Sequence, residues 1–174
     1  MGLDMFLKSM PRVKGYSFEQ LVKLDDKMRE FDSLNSMKGI IPNVVLKNVK
    51  KVGKYITWYS ISEQVAYWRK ANQIHRWFVN IVQGGEDDCN PYEVTKDHVI
   101  MLLNDVKTVL GAKSKKDGIS VAQEVLPTQS GFYFGNTEYD NLYYRNLEET
   151  ETMLEKILRT FDFENNYLYY RSSW

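Results

Sequence analysis

The two ends of this chain carry strand patterns, and the middle carries helical ones. Residues 3–8, LDMFLK, alternate: Leu3, Met5 and Leu7 on one side, Asp4, Phe6 and Lys8 on the other. Residues 167–174, YLYYRSSW, are rich in aromatic residues and read as a closing strand. A further strand is expected over 55–61, YITWYSI, and a short one over 131–134. These strands do not alternate regularly with helices. The expected fold class is therefore α+β, a small antiparallel sheet including both terminal strands packed against several helices. At 174 residues the chain suits one domain over 1–174, with room for an inserted helical appendage at 9–54.

Helix signals lie between the strands. Ser17 with Gln20 forms a capping box that opens a helix to about Leu34. Residues 40–54 read as extended or loop structure with a cluster of lysines. Thr95 caps a helix that Gly111 stops, a short helix covers about 119–125, and Asn146 with Glu149 caps one reaching about Phe161. Asp140 is expected in the first turn after a Thr137 cap.

The strongest helix is expected over 63–83, EQVAYWRKANQIHRWFVNIVQ, ended by Gly84-Gly85. On a helical wheel Tyr67, Trp68, Ala71, Ile74, Phe78, Val79, Ile81 and Val82 fill one apolar arc. Arg69, Gln73, Arg76 and Asn80 lie opposite. His75 falls inside the arc and Asn72 at its edge. Two readings are open for His75: a core histidine bonded to a backbone carbonyl or a tyrosine hydroxyl, or a cavity wall with Asn72 for polar binding or acid–base work. Trp77 sits at the flank, where with Arg69 and Arg76 it offers a partner surface or a snorkelled ring.

The segment 126–140, LPTQSGFYFGNTEYD, also has two readings. It is a strand between turns, with Phe132 and Phe134 on one side and Tyr133 on the other. Alternatively, Gln129, Ser130, Asn136 and Thr137 form a hydrogen-bonding rim around an aromatic-lined pocket, with Tyr133 at its edge.

Other chemistry is sparsely signalled. Basic and acidic residues number 23 each, which argues against both direct nucleic-acid binding and acidic mimicry of nucleic acid. Glu86-Asp87-Asp88-Cys89 places carboxylates beside a thiol, but without the spacing of an oxygen-ligand metal loop. One cysteine and two histidines are few for zinc, so no metal and no cofactor is expected. No Walker loop, dinucleotide fingerprint or nucleophile elbow is present. The first ten residues lack a signal-peptide layout, no apolar run suits a membrane span, and a single cysteine fits a reducing compartment, so a cytoplasmic location is expected.

The MGLDM start, the WRKAN-IH-WF helix, the DDC loop, the TQSGFYFG-TEYD segment and the SSW end together resemble a family of small bacteriophage and prophage proteins. The likeness spans most of the chain from Tyr55 onward and departs over 9–54. It implies action inside an infected bacterium and brings no reaction or catalytic residues. The leading expectation is a non-enzymatic counter-defence protein that binds and inhibits a host defence protein, as an anti-CRISPR inhibitor does. A second is a sponge for a signalling nucleotide, held by Trp68, Asn72, His75, Gln129 and Ser130. A third is a nucleotide-directed hydrolase using His75 with Asp87, Asp88 or Asp140.

Overall fold

The computed structural model describes residues 2–53 and 57–174. Strand β1 spans Asp4–Pro11; its Met5 and Leu7, and Leu3 just before it, are completely buried, as their alternation predicts. Three helices follow: α1 (Phe18–Met28), α2 (Leu34–Met37) and α3 (Asn43–Leu46). The hairpin β2 (Lys50–Val52) and β3 (Trp58–Ser60) forms its own two-stranded sheet. Then come β4 (Glu63–Arg69), α4 (Asn72–Ile81), β5 (Tyr92–Val94), α5 (Lys96–Ala112), α6 (Gly118–Val125), α7 (Asn141–Thr160) and β6 (Asn166–Ser173).

The fold is α+β. The main sheet has the order β4-β1-β6-β5, and all its pairs are antiparallel. The two terminal strands pair along their whole length, from Asp4 opposite Ser173 to Pro11 opposite Asn166. One hydrophobic cluster joins the inner face of the sheet to α4, α5 and α7, with Trp68, Phe78, Leu102, Leu154 and Tyr170 among its members. A second gathers Met10, Phe18, Leu21, Met28, Met37, Val45, Ile61 and Tyr169, which seats α1, α2 and α3 against the opposite face of the sheet.

Two of the expected caps are formed, whereas those at Thr137 and Asn146 are not. Ser17 and Gln20 form their reciprocal box, and Thr95 forms one with His98. Gly84 and Gly85 both take positive φ after α4. Several expectations are corrected. The helix of 63–83 is two elements, because Glu63–Arg69 pairs with β1 as a strand and Lys70 turns the chain at φ 58°. Its aromatic and branched residues satisfy a strand period as well as a helical one. Tyr67 and Trp68 therefore point to opposite faces: Trp68 is buried and Tyr67 is exposed.

Helix α1 stops at Met28, well before Leu34, and Ser33 caps a separate short helix. The segment 40–54 contains α3 and β2. Of the strand expected at 55–61, Trp58–Ser60 is formed, and Tyr55 and Ile56 lie outside the described residues. Helix α7 runs unbroken through Asn146 and Glu149, and Asp140 is its N-cap, accepting from the backbone N–H groups of Leu142 and Tyr143.

Candidate functional site

The segment 126–140 is a loop, not the strand expected at 131–134. Its centre is a tight turn in which the Phe134 N–H donates to the Gly131 carbonyl at 3.2 Å, with Tyr133 at φ 65° and Gly135 at φ 95°. The turn undoes the alternation that a strand would impose. Phe134 is buried, whereas Phe132 is 79% exposed and Tyr133 53%. Their rings lie 4.2 Å apart, centroid to centroid. Gly131 is required by space, since a Cβ there would lie 2.5 Å from the Phe134 ring.

Helix α4 fixes the loop. Asn72, its first residue, is 2% exposed. Its Nδ2 donates to the carbonyls of Phe134 (3.2 Å) and Asn136 (2.8 Å), and its Oδ1 accepts the Gln129 N–H at 3.0 Å. One turn on, Arg76 Nη1 donates to the Thr128 carbonyl at 3.0 Å. The loop also braces itself. The Thr128 hydroxyl donates to the Thr137 carbonyl at 3.0 Å, and the Thr128 N–H to the Tyr139 hydroxyl at 3.3 Å. Tyr143 closes its base by donating to the Leu126 carbonyl at 2.9 Å. Burial pushes the Tyr143 phenol well above its ordinary range, so it stays a donor.

His75 is fully buried. Its Nε2 lies 2.9 Å from Asp87 Oδ2 and its Nδ1 2.7 Å from the Tyr170 hydroxyl. Because a carboxylate only accepts, Nε2 carries a proton toward Asp87, and Nδ1 shares the second hydrogen bond with the Tyr170 hydroxyl. Burial holds the Tyr170 phenol well above its ordinary range, which keeps that hydroxyl protonated. The Trp174 indole donates to the other Asp87 oxygen at 3.0 Å. Phe78 stacks on Tyr170 at 4.1 Å, and the Phe134 ring stands edge-on to His75 at 5.2 Å. The tyrosine–histidine–aspartate order is that of a proton relay. Its terminal hydroxyl, however, belongs to a side chain with no exposure, so no substrate atom reaches it.

The remaining candidates are distributed as follows. Asn72, Gln129 and Asn136 come together, with His75 joined to them through Phe134. Ser130 and Tyr133 are on the exposed part of the loop. Trp68 lies apart, its indole donating to the Thr150 hydroxyl at 2.8 Å. Arg69 is exposed opposite Asp4. Trp77, expected at the helix flank, is buried and donates to Asp105 at 2.8 Å. Gln73, expected on the charged side, is also buried. Asp88 serves its own loop through Asn90 and Tyr92, and Asp140 serves its helix. Among the described residues no three His, Cys, Asp or Glu side chains are grouped to hold a metal ion. Tyr170, Trp174 and Tyr139 carry no local signal in the sequence, because their roles depend on partners distant in the chain or across the loop.

Comparison with protein-family models, with characterised proteins and with solved structures finds no match for this chain.

Proposed function

We propose that the chain is a phage-encoded counter-defence protein that acts by binding, occupying a host defence protein in the manner of an anti-CRISPR inhibitor. The observation that carries this reading is the pair Phe132 and Tyr133, exposed on a loop whose backbone is tied down on both sides of them. Exposed aromatic rings on a fixed backbone supply contact area at small entropic cost, and aromatic residues dominate interface hot spots. Phage origin is supported by the motif resemblance alone.

The burial of His75 favours binding over chemistry at that residue. A hydrolase would need the ring, or the hydroxyl bonded to it, to meet a substrate, and a sponge centred there would need an opening to it. Among the described residues no helix is long and apolar enough to cross a membrane. The reading is tested by expressing the protein in bacteria that carry single defence systems and measuring phage plating. The wild-type chain restores plating against at least one system, and the Phe132→Ser/Tyr133→Ser variant does not. Equal restoration by both, or restoration by neither, overturns it.

A further inference from the structure

Three cationic side chains converge on the outer face of the main sheet. Lys8 of β1, Arg171 of β6 and Arg29 just after α1 line a cavity of about 310 Å³, together with Phe6, Cys89 and Ser172. That volume is at the lower end for small-molecule sites, which run from about 300 to 1,000 Å³. The sheet aims Lys8 into this space. The pairing of β1 with β4 shifts register between Leu7 and Lys8, a bulge that turns the strand locally.

The charges here are not balanced. Asp26 is shared by two guanidiniums, 3.2 Å from Arg171 Nη1 and 3.6 Å from Arg29 Nη2. Asp25 is buried and already accepts from the Ser60 hydroxyl (2.7 Å), the Ile61 N–H (2.7 Å) and the Ser62 hydroxyl (2.9 Å). Among the described residues Lys8 has no ion-pair partner; its ammonium lies 5.7 Å from the Phe6 ring centroid. Burial first, and then the Arg29 and Arg171 charges, push the Lys8 ammonium below the ordinary lysine range, against opposing pulls from Asp25 and Asp26. Three cations thus face two carboxylates, which leaves an excess of one positive charge in a cavity open to solvent on one side. Holding a half-buried lysine between two arginines is unfavourable unless an anion completes the site.

We infer that the cavity lined by Lys8, Arg29 and Arg171 binds a phosphoryl group, which the two guanidiniums and the ammonium together neutralise. Guanidinium groups suit phosphate oxygens because they present paired donors in one plane, and Lys8 adds a point charge. The phosphoryl group has two sources, free phosphate or a nucleotide whose base lies against the exposed edge of Phe6. None of these residues belongs to the 126–140 loop. Failure of this inference therefore leaves the loop proposal standing, and the converse also holds.

The chain carries its own reporter, because Cys89 is its single cysteine and borders the cavity. Alkylation of Cys89 by iodoacetamide, an uncharged reagent, is followed in the intact protein at constant ionic strength with inorganic phosphate, adenosine monophosphate or adenosine added. Phosphate and the nucleotide slow alkylation, and adenosine does not. Protection by the nucleotide at about tenfold lower concentration than phosphate identifies a nucleotide as the ligand; equal potency identifies free phosphate. Lys8→Met and Arg29→Gln each raise the half-protecting concentration about tenfold or more. Arg29 has an exposed side chain, so its variant keeps the test valid if Lys8→Met folds poorly. The inference is overturned by no protection up to about 10 mM of either anion, by protection from adenosine equal to that from its monophosphate, or by unchanged half-protecting concentrations in the folded variants.

Discussion

The side-chain oxygen of Asn72 accepts the backbone N–H of Gln129 at 3.0 Å, while its amide nitrogen donates to two carbonyls on the far side of the same loop. One buried side chain thus holds both limbs of the loop that displays Phe132 and Tyr133. A polar residue at the edge of an apolar arc is satisfied here entirely by backbone.

Removing that clamp should loosen the loop before it unfolds the protein. Asn72→Ala leaves the Gln129 N–H and the Phe134 carbonyl without partners, which destabilises by about 2–4 kcal/mol. Urea denaturation measures the loss. Hydrogen exchange should show faster amides over 129–136 than over α5. Unchanged exchange in the loop would show that Asn72 is not what fixes it.

Gly131 meets Phe134 too closely for any side chain, with 2.5 Å between the ring and an added Cβ. Gly131→Ala should therefore push the Phe134 ring away from His75 and from Trp174, whose ring is 6.0 Å from it. The expected result is a loss of about 1–3 kcal/mol and a changed Trp174 emission. A wild-type melting temperature together with unchanged emission would contradict this packing.

Asp140 gives a pH-dependent prediction. The Tyr143 backbone N–H, assisted by the Asn136 amide and the Leu142 N–H, holds its carboxyl below the usual aspartate range. A folded value below the unfolded one means that the cap's contribution is fully present above the unfolded value, near pH 4. It is lost as pH falls through the folded value. Asparagine also caps helices well but does not titrate there. The stability of wild type should therefore fall more steeply than that of Asp140→Asn between about pH 5 and pH 3. Parallel curves would refute the assignment.

The elements legible in the sequence were those whose signals are local. Ser17 with Gln20 lies within one helical turn, Thr95 directly precedes the helix it caps, and the Leu3, Met5 and Leu7 alternation is a local period of two. What was not legible depends on distant partners. Glu63–Arg69 satisfies either period, and only pairing with β1 makes it a strand. The turn at Tyr133 separates Phe132 from Phe134, which a strand would place on one side, and α4 holds it together with bonds inside the loop. His75 was placed correctly in an apolar arc, but its bonds to Tyr170 and Asp87 come from the terminal strand and a later loop.

His75 in this account orders the core and joins α4 to the chain terminus. His75→Phe keeps a ring but strands the Tyr170 hydroxyl and one Asp87 oxygen. It should cost about 2–4 kcal/mol, and the effect should be largely shared with Asp87→Ala in a double-mutant cycle. Additive losses would mean that the two side chains act independently.

The most direct test of the central claim is affinity capture from a host lysate, comparing wild type with Phe132→Ser/Tyr133→Ser at matched melting temperature. Both rings are exposed, so the exchange should leave stability within about 0.5 kcal/mol. Wild type should retain a defence protein in stoichiometric amount, and the variant should retain at least about tenfold less. Equal retention by the two, or no retained partner with wild type, would contradict the account.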